Sequence, residues 1–391
     1  MNKAMDRMMT PLRRKDALRI MSIALCFLLL YLAPVSLLYA AEASNIKVAS
    51  IYAHPGVAAP INAYSITGVR EAIDEINARK GVLGRRFELI ELDNMSTPIG
   101  SKVAAEKAIA NGVTAIIGSN WSSHTLAIAP VAQANKTPLI TNISTNEGVT
   151  KIGDYIFRVC FTDSFQGKVM AKFAREDLRA HSAVMIVDLT SDYSMGLARD
   201  FKAHFEQLGG KVEGQVEYKL KAPDFERVAM QAKALNPQVV FIPGYDESAL
   251  IIKELMNLGV KAIPLGGDGW ESVSFFNRGG GDIPTCYYST HWTEEVRSQE
   301  SRRFVQRYKY KGKVFNAGEA LAYDAVQLLA DAIKRSGSFD RTKIRDALAA
   351  TKGFQGVTGT ITFNTQRDPI KSAVIIEIKD GIQMYLKNVL P

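Results

Sequence analysis

The sequence predicts an α/β protein built from two parallel sheets, each covered by helices on both faces. Three observations carry that expectation. From residue 46 onward, short apolar runs alternate with amphipathic stretches, the rhythm of successive strand–helix–strand units. Near residues 155–160 the rhythm restarts over a second stretch of similar size. The chain, at 391 residues with 47% hydrophobic and 23% charged side chains, is long enough for two globular domains.

The elements follow in order. Residues 46–53 form an apolar strand; Ile66, Val69, Ile73 and Ile76 then share one helical face, and Gly81 stops it. Strand 87–92, helix 102–110, strand 113–118, helix 122–134 and strand 138–140 complete the first unit. In the second, Asp163 heads a helix to about residue 178, and 182–188 is a buried strand. Helix 193–208, strand 211–218, helix 225–235, strand 239–242, helix 248–258 and strand 263–266 continue the alternation. After a strand at 282–289 come three helices, 295–310, 317–334 and 341–350. The tail changes character: 359–363, 372–378 and 383–386 read as strands in hairpins.

The first forty residues stand apart. Six basic side chains from Lys3 to Arg19 precede an apolar run at 20–38, and Ala41-Glu42-Ala43 follows. Basic, apolar and small segments in that order make a secretory signal, removed after Ala41 or Ala43. The rival is an uncleaved membrane anchor, since the apolar run nears the length that spans a bilayer. Arg13-Arg14 and Cys26 fit twin-arginine and lipidation signals poorly, because their flanking residues are wrong. Removal of residues 1–41 lowers the net charge from +8 to +4. No basic run with interleaved aromatics suggests a nucleic-acid groove. Beyond Cys26, only Cys160 and Cys286 remain; they could pair in an oxidising compartment, but nothing in the sequence places them together, and the expectation is buried free thiols.

In open parallel sheets, ligands sit beyond the carboxyl ends of the strands. Residues following each strand are therefore candidates. The first unit offers Trp121, Ser122, Asn142 and Thr145; the second offers Tyr193, Tyr245, Asp246, Asp268 and Trp270. Ser122 opens a helix, where free N–H groups and the helix dipole attract an anion. Hydroxyls on one unit and tyrosines with an acid on the other suit a zwitterion. Each residue has a plainer role as well: Ser122 as a helix cap, Asp268 as a turn residue between glycines, the tyrosines and tryptophans as packing.

Enzyme chemistry finds little footing. His54, His124, His181, His204 and His291 are scattered without metal-ligand spacing. No serine sits in a nucleophile elbow. The glycine run after Arg278 lacks the lysine of a phosphate loop and reads as a connection. The expectation is a binding protein, not an enzyme, with no cofactor and no metal.

Several stretches carry a resemblance: Thr67-Gly68 with residues 72–77, Ala110-Asn111-Gly112, Ile117-Gly118 with Ser122-Ser123, Asp163-Ser164 with Gln166-Gly167, residues 193–198, Pro243-Gly244-Tyr245 and residues 359–363. In their order and spacing, residues 45–391 resemble the type I periplasmic binding proteins of ABC importers, in particular the leucine/isoleucine/valine group. The resemblance implies two doubly wound lobes joined by a three-stranded hinge. Lobe 1 would be 45–161 plus 291–355, and lobe 2 would be 162–290 plus 356–391. It implies a small-molecule ligand, an amino acid, delivered in the periplasm to a membrane ABC permease by a monomer. By position it assigns the α-carboxylate to Ser122, and the grip on carboxylate and amine to the Ile143 carbonyl and the Thr145 hydroxyl. Tyr193 and Tyr245 match the family's two tyrosines. Asp268 stands where the family usually has the glutamate that pairs with the α-ammonium.

The match departs from the family at three places. Ser96 and Trp121 occupy the positions of a lobe-1 disulfide, so that staple is absent. Trp121, directly before the carboxylate serine, would reshape the pocket wall. The loop at 54–60 differs from the family's loop beside the side-chain pocket. A related amide or small acid thus stays open as ligand.

Overall fold

A computed structural model of the chain describes residues 45–220, 223–272, 275, 277–278, 283–309 and 315–391. The secretory signal or anchor expected within 1–41 lies outside these residues, as do Asp282, Tyr310 and the glycines after Arg278. Among the described residues, no helix is long and apolar enough to cross a membrane.

Two sheets organise residues 46–391. The first has the order β2-β1-β3-β4-β5, all parallel: β1 (Ile46–Tyr52), β2 (Phe87–Asp93), β3 (Ala115–Gly118), β4 (Leu139–Thr141) and β5 (Ile156–Arg158). Its connecting helices are α1 (Ala59–Ala78), α2 (Pro98–Ala110), α3 (Ser122–Ala134) and the short α4 (Gly148–Lys151). Helix α1 begins earlier than its apolar stripe suggests, because a proline is tolerated in the first helical turn, where its missing N–H is not needed.

The second sheet contains β6 (Ser182–Asp188), β7 (Lys211–Tyr218), β8 (Val239–Phe241), β9 (Ile263–Gly266), β10 (Cys286–Thr290), β13 (Ala373–Lys379) and β14 (Ile382–Val389). Its order is β14-β13-β10-β9-β8-β6-β7, with β13 antiparallel to both of its neighbours, β10 and β14, and the remaining pairs parallel. Helices α5 (Asp163–Lys172), α6 (Asp192–Gln207), α7 (Phe225–Ala234) and α8 (Ser248–Asn257) belong to it. The last turn of the expected 163–178 helix, Phe173–Asp177, is π-helical. Helices α9 (Gln299–Lys309), α10 (Ala317–Ser336) and α11 (Arg341–Ala349) follow β10.

The inner strands of each sheet are buried on both faces, which explains why they read as apolar runs without alternation. Helices α1 and α10 cover one face of the first sheet, joining Val69, Ile73, Leu321 and Leu329 to Val48 and Ile117. Helices α2 and α3 cover the other through Ala105, Ile128 and Ala129. At Gly68 a Cβ would stand 2.2 Å from the Glu319 carbonyl, so α1 and α10 approach closely only because that residue is glycine.

A strand absent from the sequence reading, β11 (Phe354–Gly356), pairs with β12 (Gly359–Ile361). This hairpin straddles the expected 355/356 boundary, and Ile361 and Phe363 pack in the core beneath α1 and α10. The chain passes between the two sheets three times, near 159–162, 290–292 and 364–372. Side chains tie these passages together. Lys371 Nζ donates to the Val159 carbonyl at 3.1 Å, Arg158 Nε meets Asp368 at 2.6 Å, and the His291 ring stacks on Phe161 at 3.7 Å.

Candidate functional site

Helix α3 starts without a side-chain cap. Trp121 occupies the N-cap position in extended conformation, and Ser122 is the first helical residue. The capping role considered for Ser122 is therefore not the one it plays: its Oγ accepts from the Asn146 amide at 3.3 Å. The uncapped end of α3 lies at the carboxyl edge of the first sheet, where a partial positive charge collects.

Opposite it stands the edge of the second sheet. Ile61, Asn120, Trp121, Ser122 and Ile143 from the first half, with Tyr193, Tyr245, Asp268 and Gly269 from the second, border one narrow cleft. Six of the seven residues expected at the site border this cleft. The seventh, Thr145, does not border it. It lies buried in the same loop as Ile143, its carbonyl accepting from the Asp163 amide at 2.9 Å and its hydroxyl beside the Asp163 carboxyl.

The two walls are built differently. Behind the first lies a buried polar lattice. The Tyr52 hydroxyl donates to Asn142 at 3.0 Å, and Asn142 Nδ2 donates to Ser65 and Asn120 at 2.9 and 3.1 Å. Arg158, wholly buried at the end of β5, grips the loop carrying Thr145: its guanidinium donates to the carbonyls of Ser144 at 2.7 Å and Asn146 at 2.8 Å. These two bonds fix the peptide plane that precedes Thr145 and the one that follows Asn146.

The second wall centres on Asp268, which opens a 3₁₀ turn (Asp268–Trp270) after β9. Gln166 Nε2 donates to its Oδ1 at 2.9 Å, and His291 Nε2 lies 3.1 Å from its Oδ2. Burial holds the His291 pKa below the usual histidine value, with Asp268 pulling the other way. Tyr193 accepts from the Gly269 amide at 3.2 Å, and burial pushes the phenols of Tyr193 and Tyr245 well above their ordinary range. The carboxylate at 268 is thus oriented by two side chains and keeps further acceptor capacity on each oxygen.

The halves meet in this structure. Trp121 stacks on Tyr245 with ring centroids 4.3 Å apart, Tyr193 extends the stack at 5.1 Å, and Asn146 Nδ2 donates to the Asp192 carbonyl at 2.9 Å. Helix dipole and hydroxyls face one way, an acid faces the other, and aromatic rings close the side. Such a space can hold a small molecule with an anionic and a cationic pole.

The described residues hold no group of three or more acidic, histidine or cysteine side chains suited to a metal. Cys160 and Cys286 are both buried free thiols.

Comparison with known proteins decides the family. The model of the periplasmic binding protein family matches residues 45–382. The chain belongs to that family. It is a solute-binding fold and not an enzyme family. Curated relatives include Leu/Ile/Val-binding protein homolog 3 of Brucella melitensis, 26% identical over 307 residues, covering 77% of this chain and 82% of the relative. Leu/Ile/Val-binding protein BraC3 of Rhizobium johnstonii is 28% identical over 322 residues, covering 79% and 85%. Among solved structures, the leucine binding protein LivK of Thermotoga maritima superposes with a TM-score of 0.85 at 36% identity, covering 88% of this chain and 99% of that one. The substrate binding protein LivJ of Streptococcus pneumoniae, in complex with isoleucine, gives 0.83 at 29% identity, covering 89% and 100%. The resemblance to the leucine/isoleucine/valine group therefore holds along nearly the whole of residues 45–391.

Sequence reasoning missed several members of the site in this periplasmic binding protein. Asn120 and Ile61 line the cleft, and Gln166 and His291 hold Asp268, yet none was singled out. His291 directly follows β10, so the strand-end rule that found Asp268 would have found it too. Gln166 sits in the second turn of α5, where strand ends give no hint.

Proposed function

We propose that the chain carries an amino acid, held as a zwitterion between two lobes, to a membrane ABC permease. Ser122 and the start of α3 take the carboxylate, with Ile143 beside it and Thr145 behind in the same loop; Asp268, flanked by Tyr193 and Tyr245, takes the ammonium. The observation that supports this most is the placement of Ser122 and Asp268 on facing walls of one cavity. Relatives named for leucine, isoleucine and valine point to the same ligand class.

The moving bodies would be the two sheets with their helices: residues 45–158 with 293–363, and 162–290 with 373–391. They would rotate about the three passages, and the permease would read the closed form. The segment 1–41 would direct export to the periplasm and be removed, and the mature chain would act as a monomer. Isothermal titration of the mature chain against the twenty amino acids tests the reading. Saturable heat with at least one supports it; none with any would leave the ligand assignment without support.

A further inference from the structure

One residue bordering the cleft carries a hydrogen-bond donor that nothing in the amino-acid reading uses. Trp121 forms one wall, its ring held between His124 at 5.2 Å and Tyr245 at 4.3 Å. The stacking fixes where its indole N–H sits. That N–H is buried and has no acceptor among the described residues. An unpartnered buried donor costs about 1–3 kcal/mol, which an acceptor placed against it would recover.

Asn120, next along the wall, is in a similar position. Its Oδ1 is taken by Ser65 Oγ at 2.9 Å and Asn142 Nδ2 at 3.1 Å, while its Nδ2 makes only a long 3.4 Å bond to the Ile61 carbonyl. This side of the cleft has donors to spare. Among the described residues bordering the cleft, none is Lys, Arg or His. His124, behind Trp121, is neutral near pH 7, since burial pushes its pKa down to about 4, and its Nδ1 faces Asn94 at 3.3 Å.

Resting on the amino-acid reading, we infer that the ligand's side chain is uncharged and carries a hydrogen-bond acceptor, a hydroxyl or a carboxamide, that meets the indole N–H of Trp121. A second carboxylate would find no counter-charge beside Asp268. An aliphatic side chain of equal size would leave the N–H unpaired, and a site built around such a donor discriminates against the analogue lacking the acceptor.

Near-isosteric pairs test this on the mature chain by isothermal titration: threonine against valine, and asparagine against leucine. The expected result is that the polar member of at least one pair binds about 10-fold tighter, the worth of one buried hydrogen bond. Trp121→Phe, which keeps a ring and removes the N–H, should shrink that gap to about 3-fold or less. Valine and leucine binding as tightly as threonine and asparagine would overturn the inference while leaving the amino-acid reading intact. A gap unchanged in Trp121→Phe would overturn the role of Trp121. Silence from all four together with the other sixteen amino acids would overturn the reading and the inference with it.

Discussion

Trp121 and Tyr245 stand ring to ring across the cleft, centroids 4.3 Å apart and planes 11° from parallel, one from each half of the molecule. The contact favours the closed arrangement before any ligand bond is counted. Such a pair contributes about 0.5–1.5 kcal/mol beyond its area burial. Tyr245→Leu should therefore shift the ligand-free chain toward the open form, seen as a larger radius of gyration in small-angle scattering. An unchanged radius would mean that the stack does not hold the lobes together.

Arg158 is a wholly buried charge. It pairs with Asp368 and donates to the carbonyls of Ser144 and Asn146. Arg158→Met would leave Asp368 without its cation and take a charged donor from each of two carbonyls, at about 3–5 kcal/mol. Urea unfolding measures the loss. Arg158→Lys keeps the charge but not the two-pronged grip, so it should recover part of the stability while still weakening ligand binding through the displaced Thr145 loop.

Gly68 tests the packing of α1 on α10. A methyl group there would press on the Glu319 backbone 2.2 Å away, which cannot swing aside as a side chain would. Gly68→Ala should lower stability by about 1–3 kcal/mol in thermal or urea unfolding. A neutral result would show that the helices part easily.

The pH dependence of stability has a defined sign at His124. Burial lowers its folded-state pKa from 6.5 to about 4, so the unfolded chain takes up a proton that the folded one refuses. Its contribution is complete above about pH 6.5 and is lost as the pH falls toward 4. Between pH 7 and 4.5 the wild type should lose about 2–3 kcal/mol more than His124→Asn. Parallel pH profiles for the two proteins would contradict this.

Much of this architecture was legible before any coordinates. Strands buried on both faces read as apolar runs, and helices such as Ser122–Ala134 and Arg341–Ala349 appeared within a residue of their observed bounds. Local pattern could not supply the interleaving of the two halves, which depends on where the chain crosses between sheets. Nor could it give β11, three residues long, because its only partner is β12 across a tight turn. At the site, strand ends pointed to Trp121, Ser122, Tyr193, Tyr245 and Asp268, all of which border the cleft. Ile143 came through family resemblance alone. Gln166, Arg158 and Asp368 stayed hidden because their roles arise from contacts over long sequence separations: 102 residues from Gln166 to Asp268, and more from Arg158 to Asp368.

The central claim is that both charged ends of an amino acid are gripped, one at each wall. Its most direct test is titration calorimetry on the mature chain with the best-binding amino acid, its carboxamide and its α-hydroxy acid. With Ser122 and the α3 start holding the carboxylate and Asp268 holding the ammonium, each analogue should bind at least about 30-fold more weakly, the worth of one charge-assisted bond. If the hydroxy acid bound as tightly as the amino acid, Asp268 would have no cation to hold and the account would be contradicted.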